Sequence, residues 1–384
     1  MRPHRTLFVT GATGFVGSAL TLELLRVRPW DRALCLVRAP DVAQAQRRLA
    51  TALRRAADAY GVSRADVASA IARASAMPGD LTAPGLGLSD GDRQRLRAAA
   101  PVVVWHCAAS LDDSERRLRT IVAHNVGGTE RVVELALEMG ARAVNHVSTA
   151  YVAGRTVGVV AETIARPRGF ANRYEQSKHY AEAIVRDHCE RAGVPYRILR
   201  PGIVVGHSHT GRATAYTGLL GWVLKIAALD KQSGGRLRRQ VLRYVARPDA
   251  EVNIIPINAV IDDCIGIDAA GPRTYGHVFH LTNTAAPTVR WVCDMTARAL
   301  GLYGIEIVDR DDDLDPLSQT FHRWTRFERP YVTGRKQFSR DVSRELYASA
   351  RHGHCPIDEE LYRRMVALAV ADWRRRVAAS RGAA

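Results

Sequence analysis

A few side chains with hydroxyl or amine groups form the most informative pattern in this sequence. Tyr174 and Lys178 stand four positions apart, a spacing that puts both side chains on one face of a helix, one turn apart. Ser148 and Thr149 lie upstream of them. A lysine ammonium beside a phenol favours the ionised form and lowers the pKa of the tyrosine. The pattern predicts a carbonyl-reducing site with Tyr174 as proton donor; the alternative is a solvent-facing pair on an amphipathic helix.

The beginning of the chain has the order of elements that such a site needs. The apolar run from Thr6 to Thr10 predicts a strand, and a helical pattern runs from Ser18 to Val27. Between them stand Gly11, Gly14 and Gly17. In dinucleotide-binding folds such glycines form the tight turn, let the backbone approach a pyrophosphate and let the helix pack closely on the strand. The order predicts a dinucleotide site at this helix N-terminus; the alternative is an ordinary strand-to-helix turn.

The residue after the second predicted strand bears on the choice of dinucleotide. Ala33 to Val37 predicts that strand, and Arg38 follows it. A cofactor without a 2′-phosphate is usually met by a carboxylate at this position, whereas an arginine fits the 2′-phosphate. We therefore expect NADPH rather than NADH, with a surface arginine as the alternative.

Later segments predict the fold class. Residues 102–109 indicate a buried strand that ends in small side chains, and residues 143–149 indicate a strand that ends in hydroxyls. Residues 43–76 predict helices, because they lack glycine and proline apart from Gly61. Alternating strands and helices from residue 6 to about residue 205 predict an α/β, Rossmann-like doubly wound parallel sheet, which binds ligands at the carboxyl ends of its strands.

Several short motifs occur in a characteristic order. They are Thr-Gly-Ala-Thr-Gly-Phe-Val-Gly from Thr10, Gly-Asp-Leu from Gly79, His-Cys-Ala-Ala from His106, His-Asn-Val-Gly-Gly-Thr from His124, Val-Ser-Thr-Ala-Tyr-Val-Ala-Gly from Val147, Tyr-Glu-Gln-Ser-Lys from Tyr174 and Arg-Pro-Gly from Arg200. In this order the chain resembles the extended short-chain dehydrogenases/reductases. The long helical insertion between residues 38 and 79, and the segments 253–258 and 277–283, resemble more narrowly the fatty acyl-CoA reductase and thioester reductase branch.

The resemblance implies roles for individual residues. Thr149 would hydrogen-bond the substrate oxygen, Tyr174 would be the acid, and Lys178 would assist it and hold the nicotinamide ribose; Ser148 is the alternative to Thr149. The motifs and the resemblance together give as cofactor-binding residues Thr10, Gly11, Thr13, Gly14, Phe15, Val16, Gly17, Arg38, Asp80, Leu81, Ala108, Ala109, Asn125, Lys178, Pro201, Gly202 and Ile203. No metal site is expected.

The resemblance also implies an activity. We expect an enzyme that uses NADPH to reduce an acyl thioester, carried by CoA or by an acyl carrier protein, to an aldehyde; whether reduction continues to the alcohol stays open. One alternative is a related enzyme that acts on a free aldehyde, a ketone or a sugar nucleotide. Another is a nonenzymatic NADP-sensing interaction protein, which the intact Thr149, Tyr174 and Lys178 disfavour.

The 384-residue chain is long enough for two lobes. We expect an NADP-binding domain over residues 1–205, with residues 253–283 returning to its sheet. Residues 206–252 and 284–384 would form a smaller, mainly helical cap that decides the substrate.

A formal charge of +16 predicts attraction to anions such as CoA phosphates, an acidic carrier protein or a membrane surface. Residues 235–243 are the candidate contact patch, with a solvated helix face as the alternative. Nucleic-acid binding is not expected, because basic segments are not interleaved with stacking aromatics. Residues 358–376 have apolar side chains at helical intervals, which predicts packing on the cap and leaves peripheral membrane contact open.

The remaining composition bears on location. The six cysteines show no Cys-x-x-Cys spacing, and no apolar run is long enough to span a bilayer. With no signal peptide before the first strand, we expect free thiols and a cytoplasmic protein. The sequence does not indicate an oligomeric state.

Overall fold

A computed structural model describes residues 5–111, 118–165, 167–312, 314–348 and 353–382. The strands are β1 (Thr6–Thr10), β2 (Arg32–Val37), β3 (Ala74–Pro78), β4 (Val103–His106), β5 (Ala143–Val147), β6 (Gly158–Val160), β7 (Tyr196–Pro201), β8 (Ile203–Val205), β9 (Leu242–Val245), β10 (Ile254–Pro256), β11 (His277–Leu281), β12 (Ile305–Val308) and β13 (Lys336–Phe338). The α-helices are α1 (Phe15–Val27), α2 (Val42–Tyr60), α3 (Arg64–Ala72), α4 (Asp90–Ala98), α5 (Leu118–Val122), α6 (Gly128–Glu138), α7 (Arg173–Ala192), α8 (Gly218–Gln232), α9 (Ile257–Ala269), α10 (Val289–Leu300), α11 (Pro316–Trp324), α12 (Arg329–Thr333), α13 (Asp341–Leu346) and α14 (Glu359–Gly382).

A seven-stranded sheet lies at the centre, in the order β11-β7-β5-β4-β1-β2-β3. Every neighbouring pair in it is parallel. The chain builds outward from β1 to β3 in one direction and then from β4 to β11 in the other, so the strand order reverses between β1 and β4. In doubly wound sheets the ligand crevice opens at the carboxyl ends of the strands at this reversal. The predicted fold class is confirmed.

The insertion after β2 differs in one respect from the prediction. Helices α2 and α3 lie where helices were expected, and Gly61 ends α2 in the left-handed region with φ 67°. Residues 74–78, however, form β3, which pairs in parallel with β2 from Ala33 opposite Ala74 to Val37 opposite Pro78. Alanine favours helices, but a buried edge position beside β2 overrides that local preference.

Hydrophobic side chains gather on both faces of the sheet and in a separate cluster. The buried members of the separate cluster come only from residues 205–254 and 289–370. Most of this cluster comes from the segments predicted as the cap, and the domain division stays a prediction. Small two-stranded ladders lie outside the central sheet: β9 pairs with β12, β6 with β13 and β8 with β10.

One segment assigned to the cap packs against the central sheet instead. Helix α13 contacts β11, and Tyr347 just after it belongs to the hydrophobic cluster of the sheet. Arg340, just before α13, is buried and forms an ion pair with Asp263 on α9 at 2.8 Å. A buried arginine needs such a partner, so this contact fixes α13 on the sheet.

Helix α14 packs as the sequence predicted. Its buried Leu361, Met365 and Ala369 belong to the cap cluster, and it contacts α8 and α10. The hydroxyls of Tyr362 and Thr296 are 2.6 Å apart across the α14–α10 contact. Among the described helices none combines the length and the apolar character that crossing a membrane requires.

Candidate active site

The turn between β1 and α1 is built for close approach of its backbone to another group. Gly11 has φ 74°, and a Cβ there would lie 2.6 Å from the backbone nitrogen of Ala108. A Cβ on Gly17 would overlap the carbonyl oxygen of Gly11. Gly14 is the N-cap of α1 and supplies no side-chain cap, so the N–H groups of the first turn stay free of helical partners. These contacts agree with the roles predicted for Gly11 and Gly17.

A cavity of about 580 Å³ extends from this turn across the ends of the strands into the cap. Predicted site residues that line it are Gly11, Gly14, Phe15, Val16, Gly17, Ala109, Thr149, Tyr174, Lys178, Pro201, Gly202 and Ile203. The structure thus brings all three predicted catalytic residues into one cavity with the glycine turn.

Helix α7 holds two of these residues because of how it begins. Asn172 is its N-cap, and the Asn172 side chain accepts a hydrogen bond from the backbone nitrogen of Glu175 at 2.9 Å. The Glu175 carboxylate in turn accepts from the backbone nitrogen of Ala171 at 2.8 Å, an arrangement related to a capping box. These hydrogen bonds fix the N-terminus of α7, which places Tyr174 in its first turn and Lys178 in the next. Both then point into the cavity.

The electrostatics of this pair differ from the prediction. Burial raises the pKa of the Tyr174 phenol, with the charge of Glu175 adding to the increase, and Lys178 does not offset them. The Lys178 ammonium donates to the carbonyl oxygen of Val147 at 2.6 Å and lies 3.4 Å from Nε2 of His146. The expectation that Lys178 lowers the pKa of Tyr174 is therefore wrong, because the ammonium is engaged by the Val147 carbonyl at the end of β5.

Burial also dominates the titration of Lys178 itself. It lowers the pKa of Lys178 to about 8, although Glu182 and Cys107 act in the opposite direction. Burial likewise lowers the pKa of His146 well below its ordinary value, and the charge of Lys178 adds to that effect. A neutral His146 ring nitrogen can accept from the ammonium, which makes His146 a support for Lys178.

The two candidate hydroxyls after β5 have different surroundings. Thr149 Oγ1 accepts a hydrogen bond from the backbone nitrogen of Tyr151 at 3.3 Å, and among the described residues its O–H proton has no acceptor. Ser148 Oγ is buried and has no hydrogen-bond partner within the described ranges. Both residues line the cavity, so Ser148 stays an alternative to Thr149.

Thr10, Ala108 and Asn125 lie behind the lining and hold it in place. Thr10 Oγ1 lies 2.6 Å from Nδ1 of His106 and accepts from the backbone nitrogen of Ala108 at 3.4 Å. Asn125 is buried; its side chain bonds both backbone groups of Ser110 and donates to Ser177 on α7 at 2.9 Å. These contacts tie the loop after β4 to α7.

The part of the site that is expected to hold the adenine ribose of the dinucleotide lies at the carboxyl ends of β2 and β3. Arg38 is exposed, and its backbone carbonyl accepts a hydrogen bond from the Arg48 guanidinium on α2. Burial acts to raise the pKa of Asp80, but hydrogen bonds from Thr82 and the charge of Arg38 lower it. The arginine and the carboxylate therefore lie near each other. Leu81 follows Asp80 in the same loop.

Thr13 lines a groove next to the main cavity. This groove also contains Arg47, Arg48 and Arg55 of α2, and it meets the main cavity at Gly14, Phe15 and Ala215. The arginine clusters of the insertion therefore border the glycine turn, a proximity that their sequence positions do not reveal.

The predicted basic patch is exposed on the cap, although it is not a helix face. Residues 236–238 form a 3-10 turn and β9 follows, with Leu237 and Leu242 buried beneath them. Arg238 pairs with Asp230 at 3.3 Å, and the neighbouring Arg239 is exposed.

Sequence reasoning missed the cap side of the cavity. Its polar members include Tyr151, Trp222, Lys225, Tyr244, Glu328 and Tyr331. They come from segments far apart in the chain, so no local spacing marked them. Tyr331 is tied to the catalytic helix, because its hydroxyl accepts a hydrogen bond from Asn172 at 2.8 Å.

The residues present fit a dinucleotide. The glycine turn has no room for side chains, and the uncapped first turn of α1 offers N–H groups to a pyrophosphate. At the end of β7, a Cβ on Gly202 would lie 2.6 Å from Oδ1 of Asn253, so a small residue is needed where the chain borders the cavity. Lys178, Pro201 and Ile203 complete this border.

Comparison with known sequences identifies the family. The model of an NAD-binding family described as "Male sterility protein" matches residues 9–264. A "Non-canonical nonribosomal peptide synthetase FrzA" from Cladobotryum sp is 29% identical over 287 residues, which are 72% of this chain and 26% of that protein. An "Isonitrile lipopeptide synthase" from Mycobacterium tuberculosis is 29% identical over 58% of this chain and 9% of its own length. The chain thus spans about a quarter or less of these two relatives.

Solved structures share the fold. The terminal R domain of the myxalamid PKS-NRPS biosynthetic pathway has a TM-score of 0.75 at 25% identity, over 97% of this chain and 92% of that one. A UDP-glucuronic acid 4-epimerase from Bacillus cereus in complex with NAD has a TM-score of 0.64 at 14% identity, over 95% and 99% of the two chains, a likeness of fold alone. With the family model matching most of the chain, the protein belongs to the male sterility protein family of extended short-chain dehydrogenases/reductases and is an oxidoreductase that uses a nicotinamide cofactor.

Proposed function

We propose that this protein reduces an acyl thioester to an aldehyde with NADPH. The observation that carries the proposal is the shared cavity: Thr149, Tyr174 and Lys178 line the same space as the glycine turn and the cap. A site of this kind can hold a dinucleotide and an acyl carbonyl next to each other.

The reaction balances with one cofactor. The thioester, NADPH and a proton give the aldehyde, the free thiol and NADP⁺. The reduced nicotinamide supplies the hydride when it is bound. The carbonyl carbon gains that hydride, its oxygen gains a proton, and the resulting hemithioacetal collapses by losing the thiol. A second NADPH and proton would give the alcohol.

The side chains of the cavity act on the carbonyl oxygen. Thr149 and Tyr174 donate hydrogen bonds to this oxygen, where negative charge develops, and Tyr174 passes its proton to it. The raised pKa of Tyr174 keeps the phenol protonated before reaction. Lys178, supported by Val147 and His146, supplies positive charge beneath the site.

The choice of NADPH depends on Arg38. Its position after β2, close to Asp80 and with Arg48 adjacent, gives a positively charged edge where the adenine ribose would lie. Two guanidinium groups suit a 2′-phosphate better than a free 2′-hydroxyl.

A carrier protein is the proposed donor of the acyl group. Two relatives are a nonribosomal peptide synthetase and a lipopeptide synthase, and a structural neighbour is a terminal domain of a PKS-NRPS pathway. An acidic carrier would be attracted by the +16 charge of this chain and by the exposed arginines at residues 236–239. Acyl-CoA is the second carrier to test.

A spectrophotometric comparison tests the function. NADPH oxidation is followed with an acyl carrier protein thioester, the matching acyl-CoA, the free aldehyde and a sugar nucleotide. Oxidation with a thioester, with the aldehyde identified by mass spectrometry, supports the proposal. Oxidation with the free aldehyde alone would instead indicate a simple carbonyl reductase, and none with any substrate would favour an NADP-sensing role.

A further inference from the structure

An ion pair lines the cap end of the cavity among apolar side chains. Lys225 on α8 donates to Oε1 of Glu328, just before α12, at 2.6 Å and to the carbonyl oxygen of Trp324 at 2.8 Å. The lining also includes the apolar side chains of Leu219, Val252, Val289, Val292 and Val332. The two contacts of Lys225 hold Glu328 in place.

The second oxygen of this carboxylate has no partner. Glu328 Oε2 is buried, and no hydrogen-bond donor among the described residues reaches it. The hydroxyl of Tyr244 and the indole N–H of Trp222 line the same cavity and are likewise buried without partners in the described part of the chain. Their rings are 5.4 Å apart, and the indole N–H is close enough to the Tyr244 hydroxyl to act against the rise in its pKa, although the two groups do not meet hydrogen-bond geometry. Buried polar groups are rarely left unpaired, so the free carboxylate oxygen of Glu328, with these two groups on the same cavity, points to a ligand.

The chemistry of these groups defines what they can bind. A carboxylate oxygen only accepts hydrogen bonds, and an indole N–H only donates them. Burial raises the pKa of Tyr244, with Cys293 and the Glu328 charge adding to the increase, so its hydroxyl remains able to donate as well as accept. An amide or a hydroxyl group offers the matching donor and acceptor, whereas an alkyl chain offers neither.

We propose that Glu328, held by Lys225, is a specificity-determining residue that binds an N–H or O–H donor on the acyl group of the substrate. The inference rests on the proposed thioester reductase function. An acyl chain without such a donor would bury Oε2 with no partner, and a site built around a hydrogen bond discriminates strongly against an analogue that lacks it.

The test compares acyl groups of equal length on the same thiol. The substrates are octanoyl-pantetheine and a set of thioesters in which an amide replaces two methylenes at successive positions. Acetyl-pantetheine, which is shorter, is included to test the reductase activity by itself. The wild type should turn over at least one amide thioester with a kcat/KM about tenfold or more above that of octanoyl-pantetheine. Glu328→Leu should abolish this preference. Glu306→Leu, which removes an exposed carboxylate paired with Arg243, should retain it.

Two further variants separate binding from folding. If Glu328→Leu fails to fold because Lys225 loses its partner, Lys225→Met combined with Glu328→Leu removes both charges together. Glu328→Gln keeps the shape and one acceptor oxygen, so part of the preference should return. A folded double variant that still prefers the amide thioester would overturn the proposal.

The remaining outcomes are also decisive. A wild type that reduces octanoyl-pantetheine as well as every amide thioester would refute the role of Glu328 while leaving the reductase function standing. All substrates carry the same thiol, so a preference between them reports on the acyl group alone. If Glu328→Leu lowers kcat/KM for octanoyl-pantetheine and for the amide thioesters by the same factor, the bound donor lies in the pantetheine arm and the assignment to the acyl group is wrong. Failure to oxidise NADPH with every thioester, acetyl included, would overturn the reductase function and this inference with it.

Discussion

Tyr174 and Lys178 share one face of α7, but their polar ends have different neighbours. The ammonium of Lys178 is engaged by Val147 and lies near His146, whereas the phenol of Tyr174 lines the cavity and burial raises its pKa. The tyrosine therefore meets a substrate as a neutral acid. Lys178 therefore contributes positive charge near the substrate carbonyl, and it does not lower the pKa of the Tyr174 phenol.

Replacing Tyr174 by Phe tests the role of the acid. The variant should lose about 10²–10⁴-fold in kcat, because a positioned proton donor contributes about this much, while the Kd for NADPH should change little. Steady-state kinetics and NADPH fluorescence titration measure the two quantities. Tyr180→Phe, an exposed tyrosine on the same helix, is the control. Turnover within a few-fold of the wild type in the Tyr174 variant would remove Tyr174 from the mechanism.

Arg38→Asp tests the nucleotide preference. A carboxylate after β2 repels a 2′-phosphate but can bind a 2′-hydroxyl, so NADPH should bind far more weakly while NADH is little affected. Binding of both cofactors is measured by fluorescence titration, with Arg54→Asp on the exposed face of α2 as the control. An equal loss for both cofactors would refute the assignment of the 2′-phosphate pocket to Arg38.

At the scale of elements, the cap presents an arginine-rich edge that is well separated in sequence from the catalytic helix. The buried Leu237 holds the turn at residues 236–238 against the cap, and this turn carries the exposed Arg238 and Arg239. Fixed positive charges on a rigid edge attract an acidic partner and set its approach.

Charge reversal at Arg238 and Arg239 to Glu should raise KM for a carrier-bound acyl thioester and leave kcat with an acyl-pantetheine unchanged. The effect should shrink as the salt concentration rises, because exposed charges are screened. The matched control reverses Arg95 and Arg97, exposed arginines of α4. An unaltered KM would mean that these arginines are solvated surface only.

Elements with a strong local signal were predictable from the sequence. The strand from Thr6 to Thr10 has the predicted bounds, and the glycine turn, α1 and α7 follow from spacing and caps that act over a few residues. Residues 74–76 were predicted as helix but belong to β3, because the pairing of β3 with β2 is a tertiary contact that leaves no local signal. For the same reason the packing of α13 on the sheet, fixed by the Arg340–Asp263 ion pair, left no local trace.

The residues of the site likewise fall into those that a local motif reveals and those that only tertiary packing brings together. Thr149, Tyr174 and Lys178 could be found because each lies in a short motif. Lys225, Glu328 and Tyr244 could not, since they meet only after α8, β9 and the segment before α12 have packed together. The direction of Lys178 toward Val147 likewise depends on where β5 ends relative to α7.

At the scale of the whole molecule, the buried Lys178 links pH to global stability. Its folded pKa of about 8 is below the ordinary value of 10.5, so above pH 8 the unfolded chain binds more protons than the folded one. The free energy of unfolding contributed by Lys178 therefore rises with pH between about 8 and 10.5.

The comparison with Lys178→Met isolates this contribution. The difference in unfolding free energy, wild type minus variant, should increase by up to about 1.4 kcal/mol per pH unit from pH 8 to 10. A buried thiol such as Cys35, whose pKa burial raises to about 12, destabilises both proteins equally over this range and cancels. Urea titrations at several pH values give the difference. A flat or falling difference would show that Lys178 is not buried as a cation.

The most direct test of the central claim is a stoichiometric turnover of a carrier-bound acyl thioester by the wild-type protein. NADPH consumed, free thiol released and aldehyde formed are counted together by absorbance, thiol titration and mass spectrometry. The reductase assignment predicts one NADPH per thiol and aldehyde, with a second NADPH only as aldehyde becomes alcohol. Thiol released without NADPH oxidation, or NADPH oxidised while the thioester stays intact, would contradict it.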